Sequence, residues 1–287
     1  AQEQTVAYLG PQGTYSEEIA LGLYRGVSGR FIPYASIFAA IRAVEDREVA
    51  ECVVPLENSL EGAVNSTMDS LAGAAELFIT KDIIVPIRHN LMAGPETKHI
   101  NVIVSHAQAL AQCRNYLAQH YPGAELKAVD STAAAAYLVA SGKPNYAAIG
   151  SQQAGKIYGL EIIETDIQDH PHNYTRFVVL SRQAVQQVTG YWKKTIICQI
   201  DGEQPGSLCA VLEEFAKCGV NLTRIESRPA RTGLGNYLFF LDMEGCAGPE
   251  MVHKAIAAVK LKSRWYKDLG SYPVYQRSGI TVERYKN

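Results

Sequence analysis

Residues 173–180 read NYTRFVVL, which sets Thr175 and Arg176 at the mouth of an apolar strand run, just ahead of Phe177. A guanidinium beside buried strand residues calls for an anion to meet it, either a ligand's or a protein carboxylate's in a salt bridge between lobes. Three more stretches offer polar groups where an apolar run ends. VVPLENSLEG delivers Glu57, Asn58 and Ser59 together; Asn58 and Ser59 compete for one helix N-cap, so one of them is spare. VSHAQALAQC puts Ser105 at a strand end and Gln112 two helical turns further along the same face. GPQGTYSEE is a glycine turn before a helix that Thr14 caps, with Glu17 completing a capping box. Its backbone N–H groups suit an anion as well as they suit a plain tight turn. It is neither a GxGxxG fingerprint nor a phosphate loop, because no lysine follows.

Nearer the C-terminus, PGSL opens a helix and ESRPARTG closes a strand. A helix N-terminus facing a Glu–Ser–Arg cluster suits a small zwitterion, the amine on Glu226 and the carboxylate on backbone N–H groups. The plainer alternative is a turn with a surface ion pair, which contributes little. His170 and His172 form a His-x-His pair with no supporting cluster, so no metal is expected, and nothing pairs with His106 to make it a general base.

These residues need elements to hold them. The chain has 287 residues, 47% hydrophobic and 20% charged, with a net charge of −2, which fits two or three globular domains. No Lys/Arg block points to nucleic acid, and no apolar run reaches the roughly 20 residues that span a bilayer. The opening AQEQTVAYLG has no signal-like segment and no initiator Met, which implies a trimmed start. Six cysteines without CxxC or zinc spacing read as small core residues in a reducing, cytoplasmic compartment.

Short strands alternate with helices from TVAYL to QQAGKIYG, the pattern of an α/β fold with mostly parallel sheet. FITKDIIVPIRHNLMAG is long, extended and free of helix signals, so it carries the chain from one sheet to another, and NYTRFVVL brings it back. The result is a two-lobed α/β domain over 1–182, lobe one about 1–82 plus 174–182 and lobe two about 83–173. Ligands in such folds sit at strand C-termini. After a polar linker the order becomes β-α-β-β-α-β over 193–287, a ferredoxin-like module.

The ordered set GPQGTYS, VPLENSLEG, SHAQALAQC, NYTRF, PGSL and ESRP resembles prephenate dehydratase with a C-terminal ACT regulatory domain, over nearly the whole chain. The resemblance implies a catalytic domain similar to periplasmic ligand-binding proteins, in the monofunctional form with no preceding chorismate mutase domain. It implies conversion of prephenate to phenylpyruvate, water and CO2 in phenylalanine biosynthesis, with no cofactor or metal. It makes Thr175 the hydrogen-bond donor to the departing oxygen, with Glu57, Asn58, Ser105 and Gln112 shaping the site. Arg176, Phe177, Thr14 and Ser59 would bind substrate. It also implies a homodimer or homotetramer inhibited by L-phenylalanine, held by Gly206, Ser207, Leu208, Asn221, Leu222, Glu226, Ser227, Arg228 and Pro229.

Departures are small. Ala107 stands where the family often has Pro, Asp130 where it has Glu, and PGSL where it often has PGAL. Arogenate dehydratase, acting on the amino analogue, is the rival within the enzyme class. A metabolite sensor without chemistry is the rival outside it.

Overall fold

The computed structural model describes residues 4–74, 76–231, 236–278 and 281–286. The first lobe is built from β1 (Gln4–Leu9), α1 (Tyr15–Leu23), β2 (Gly29–Tyr34), α2 (Ile37–Glu45), β3 (Glu51–Asn58), a short β4 (Gly62–Ala63), α3 (Asn65–Gly73) and β5 (Phe78–Pro86). The second holds β6 (Asn90–Ala93), β7 (Val102–His106), α4 (Ala107–Gln112), α5 (Arg114–His120), β8 (Glu125–Val129), α6 (Thr132–Ala140), β9 (Tyr146–Gly150), α7 (Gln152–Tyr158) and β10 (Glu161–Glu164). Strand β11 (Tyr174–Ser181) then returns to the first lobe, antiparallel between β3 and β5.

Two extended crossings therefore join the lobes. The first begins after Pro86, later than the expected 83, because β5 stays paired with β11 through Pro86. The helical run AQALAQCRNYLAQH forms two helices, broken at Cys113, where a Cys113 N–H to Leu110 C=O bond of 3.3 Å tightens the turn. Asp169, from the return crossing, accepts from Asn115 N–H in the first turn of α5.

The remaining chain runs β12 (Trp192–Gln199), α8 (Ser207–Lys217), β13 (Leu222–Pro229), β14 (Tyr237–Glu244), α9 (Pro249–Leu261), β15 (Trp265–Ser278) and β16 (Thr281–Arg284). Leu234 and Gly235 of the strand-like run LGNYLFFLDMEG lie outside the described residues. The order β15-β12-β14-β13 is that of an ACT-like domain, the smaller α/β unit of the chain. Its last long strand, β15, serves two sheets' worth of neighbours. Trp265–Pro273 pairs with β12, and Val274–Gln276 continues as a parallel neighbour of β5. One sheet thus runs through both domains, β2-β1-β3-β11-β5-β15-β12-β14-β13, and the last residues of the chain belong to the first lobe's sheet.

Alternation along the strands explains how the domains share a core. Ile196 and Leu241 point to α8 and α9, packing with Val211, Phe215 and Val252. Their neighbours Ile197 and Phe240 point the other way, into a cluster with Ile41, Val44, Met68 and Leu71 of α2 and α3 and with Val54 and Val178. Helices α2 and α3 are thereby covered by both sheet regions, so the two domains are packed on each other through apolar side chains. No helix among the described residues is long and apolar enough to cross a membrane.

Candidate active site

The β3–β11 ladder decides which predicted residues meet. Phe177 lies opposite Pro55, but Arg176 lies opposite Glu57, so Leu56 is an extra residue in β3. Plain alternation would have set Glu57 beside Thr175. The bulge turns it over and places Asn58 beside Thr175.

On the Thr175 face a continuous polar network spans the lobes. Asn58 Oδ1 accepts from Leu60 N–H (2.9 Å) and Glu61 N–H (3.1 Å). Backbone amides only donate, so these two bonds fix the orientation of the Asn58 amide. Its Nδ2 donates to Thr175 Oγ1 and to Asn173 Oδ1, both at 2.9 Å. Asn173 Nδ2 then donates to Gln112 Oε1 at 2.9 Å, and His89 Nε2 lies 2.7 Å from the same oxygen. Gln112 Nε2 reaches back to Glu61 Oε1 of the first lobe at 3.2 Å. Burial pushes His89 below the ordinary imidazole range, partly offset by its bond to Gln112. Ser59 closes the hinge, donating to His172 C=O and accepting from Tyr174 N–H. Phe177, two residues along the same face as Thr175, is buried with Val6, Ile19, Ile83 and Val85.

Asn173, His89 and Glu61 are members of this network that sequence reasoning missed. Asn173 was within view, in the same NYTRF segment as Thr175. His89 and Glu61 carried no signal beyond proximity to a predicted crossing and a predicted strand end.

The opposite face of the same ladder holds a buried charge cluster. Arg176, 8% exposed, donates to Asp82 through Nε at 2.9 Å and to Asp242 of the ACT-like domain, with Glu57 at 3.3 Å and the Tyr272 hydroxyl at 2.8 Å. Glu57 also meets Arg224 of β13 at 3.0 Å. The anion that the Arg176 guanidinium calls for is thus supplied by the protein. Arg176 and Glu57 lie at the domain junction, which corrects their expected places in the substrate cleft. Burial raises the Asp82 carboxyl above its usual range, whereas Asp242 is held below it despite its own burial, chiefly by Arg176.

Two further expectations change. Ser105 is a fully buried strand residue donating to Ile149 C=O, and His106, through Nδ1, is the residue that caps α4. Thr14 does cap α1, accepting from Glu17 N–H and donating to Leu9 C=O. It lines a cavity of about 890 Å³ with Gln12, Tyr34, Asp130, Ser131 and Tyr158, whose walls do not include Thr175, Asn58 or Gln112. The lobes touch there: Gly13 has φ +88°, and a Cβ on it would lie 3.2 Å from the Tyr158 ring. Among the described residues, no group of three or more His, Cys, Asp or Glu is arranged to hold a metal ion.

In the ACT-like domain, Gly206, Ser207 and Leu208 line a cavity of about 370 Å³ with Gln204, Tyr237 and Phe239. Asn221 donates to Glu244, and Leu222 packs against the helix-side core. Strand β13 alternates, with Ser227 and Pro229 exposed. Its other face turns to the catalytic domain. Glu226 lies 3.8 Å from Arg224, and Arg228 forks onto Asp69 of α3 at 2.9 and 2.8 Å. Arg228 is therefore an interdomain tie, where the sequence placed it on an effector. Ser227 and Pro229 lie opposite Phe239 and Tyr237 of that cavity but are not themselves among its walls.

The model of the prephenate dehydratase family matches residues 6–185. A prephenate dehydratase from Methanocaldococcus jannaschii is 36% identical over 276 residues, covering 95% of this chain and 99% of its own length. Among solved structures, a prephenate dehydratase from Arthrobacter aurescens in complex with L-Phe is 38% identical, with a TM-score of 0.85, 93% of this chain covered and 89% of the other. GqqA, described as a novel type of quorum quenching acylase, is 29% identical with a TM-score of 0.82, covering 94% of this chain and 98% of its own.

Proposed function

The chain belongs to the prephenate dehydratase family, lyases that convert prephenate to phenylpyruvate in phenylalanine biosynthesis, and we propose that Thr175 is the group that assists departure of the ring hydroxyl. The single observation behind this reading is the polarity of the network. Because Asn58 Nδ2 donates to Thr175 Oγ1, the threonine oxygen is an acceptor there and its own proton is left to donate elsewhere. Among the described residues that proton has no acceptor.

In the proposed reaction the ring carboxylate leaves as CO2 and its bonding electrons enter the ring. The ring hydroxyl departs at the para position with the C–O electron pair, held by a hydrogen bond as its charge develops, and takes a proton from solvent to become water as the ring becomes aromatic. Aromatisation drives the step, so the protein needs to hold the substrate, exclude water and stabilise the negative oxygen as it leaves. Thr175 donates to that oxygen, polarised by the Asn58 amide. Gln112, Asn58 and Ser59 shape the cleft beside it, with Phe177 packed beneath. The reaction asks for no cofactor. With Arg176 and Glu57 engaged at the domain junction, the substrate carboxylates fall to neutral N–H donors, Gln112 Nε2 among them.

L-phenylalanine is proposed as the effector at the Gly206–Leu208 cavity. The exposed residues Ser227 and Pro229 of a second copy would complete that site, which makes the protein a homodimer or homotetramer. Six free cysteines, four of them buried, fit a reducing cytoplasm.

The test is steady-state turnover of prephenate and of arogenate by the full chain and its Thr175→Val and Thr175→Ser variants. Thr175→Val is expected to lower kcat about 100- to 1,000-fold, the range for removing one preorganised donor to developing charge. Thr175→Ser should keep most of the rate. Near-normal kcat in Thr175→Val would end this assignment. Turnover of arogenate alone would keep the mechanism and change the substrate.

A further inference from the structure

Each crossing between the lobes hands one group to the same atom. His89 lies on the outgoing crossing and Asn173 on the return, and both point at Gln112 Oε1, at 2.7 and 2.9 Å. An amide oxygen has two acceptor sites, so these two partners fill it. Both are well fixed. His89 is 5% exposed, its backbone N–H donates to Gln168 Oε1 at 2.8 Å, and its carbonyl accepts from Ile167 N–H at 2.9 Å. Asn173 is 2% exposed and oriented by the Asn58 amide, which is itself oriented by two backbone N–H groups.

This chain of constraints settles a tautomer. Asn173 presents its NH2 to Gln112, so Gln112 must present oxygen to Asn173, and that same oxygen faces His89. The imidazole must then carry its proton on Nε2. If the proton sat on Nδ1, two lone pairs would face each other at 2.7 Å in a buried site.

We propose that His89, as its Nε2–H tautomer, is a positioning residue for the dehydration. It locks the side chain of Gln112 so that both Nε2–H groups are turned away from the hinge and toward the cleft. One of them spans to Glu61 of the opposite lobe, and the other is directed at the substrate. The proposal rests on the reading that Gln112 contacts the substrate, and it adds the residue that makes Gln112 a donor. Without the imidazole, Gln112 keeps one anchor, Asn173, and its terminal amide can rotate about the long side chain.

Two measurements on the full-length chain test it. The first uses protein labelled with 15N in histidine and needs no catalysis. The His89 ring should show a protonated-type Nε2 and an unprotonated-type Nδ1 near neutral pH. The opposite pattern overturns the proposal whatever the variants do. The second is a double-mutant cycle in steady-state kinetics. His89→Leu is expected to lower kcat/KM about 10- to 100-fold, the scale of a misplaced hydrogen bond to a charged group. His89→Gln, which carries an amide N–H on a side chain of similar length, should recover most of that loss. In a Gln112→Ala background, His89→Leu should cost nearly nothing more, because the two act as one unit. A purely structural role for His89 would instead give losses that multiply and no rescue by glutamine. If His89→Leu is without effect while Thr175→Val is severe, the positioning role fails and the site reading stands. If both are without effect, the site reading fails as well.

Discussion

Asp242 and Asp82 both touch Arg176, both are fully buried, and yet replacing each by asparagine should have unequal consequences. Asp242 stays charged in the folded protein, held below the ordinary carboxylate range mainly by Arg176, and it also accepts from the Thr195 hydroxyl at 2.7 Å. Asp82 is pushed the other way by burial, and its Oδ2 has no hydrogen-bond partner among the described residues. Removing one partner of a buried pair typically costs about 3–5 kcal/mol. Asp242→Asn belongs at the low end, about 3 kcal/mol, because Arg176 keeps Asp82, Glu57 and the Tyr272 hydroxyl. At roughly 2–4 °C per kcal/mol for chains of 150–250 residues, that is a fall in Tm of about 6–12 °C. Asp82→Asn mimics the protonated form that burial already favours, so it should stay within about 1 kcal/mol. The pH dependence has opposite signs. Asp242, with its folded pKa depressed, contributes stability that is present above the unfolded value and lost as pH falls through the folded one. Asp82, raised above the ordinary carboxylate range by burial, contributes stability at low pH that is lost as pH rises from the unfolded value through the folded one. Asp82→Asn should therefore gain on the wild type over that rise. Thermal melts of both variants across mildly acidic to neutral pH decide the matter. A costly Asp82→Asn beside a harmless Asp242→Asn would refute the reasoning.

The shared core and the continuous sheet predict that both domains unfold together. The only two tryptophans, Trp192 and Trp265, begin strands of the ACT-like domain, so tryptophan fluorescence reports that domain while far-UV circular dichroism reports the whole chain. The two denaturation curves should superimpose, and separated midpoints would show that the shared core does not couple the domains. The Arg228–Asp69 fork joins β13, which carries residues of the proposed effector site, to helix α3, so on that proposal Asp69→Asn should leave phenylalanine binding by calorimetry within a few-fold of wild type while weakening inhibition at least tenfold. Inhibition that tracks binding unchanged would remove the fork from the regulatory route.

Much of the architecture was legible because it follows from periodicity and punctuation. Strand–turn–helix units are marked by caps such as Thr14, Ser36 and Ser131, each seen accepting from a backbone N–H three positions on. Both crossings were visible as extended runs without helix signals. The continuation of β15 into the catalytic sheet was not legible, since a strand's sequence does not name its neighbours. The ring of partners around Arg176 was hidden for the same reason: Asp82, Asp242 and Tyr272 are far from it in sequence and read individually as ordinary strand residues.

The sharpest misreading, that of Glu57, turns on a single residue. Val53 to Asn58 looks like a regular strand end, and nothing in VVPLENS announces that Leu56 is extra. Yet that one bulge sorts four polar side chains into two sets. Asn58 and Thr175 go to the cleft, Glu57 and Arg176 to the ACT-like domain. The same strand pair thus carries the proposed chemistry on one face and the domain junction on the other, with Thr175 and Arg176 one peptide unit apart. Any displacement of Asp242 or Tyr272 acts on Arg176 through short, buried contacts, and Arg176 cannot move along β11 without moving the backbone that aims the Thr175 hydroxyl. An ACT-like domain on a flexible tether would have no such purchase. This one reaches the strand that carries Thr175 directly, and the bulge in β3 is what makes room for both sets of contacts on adjacent residues.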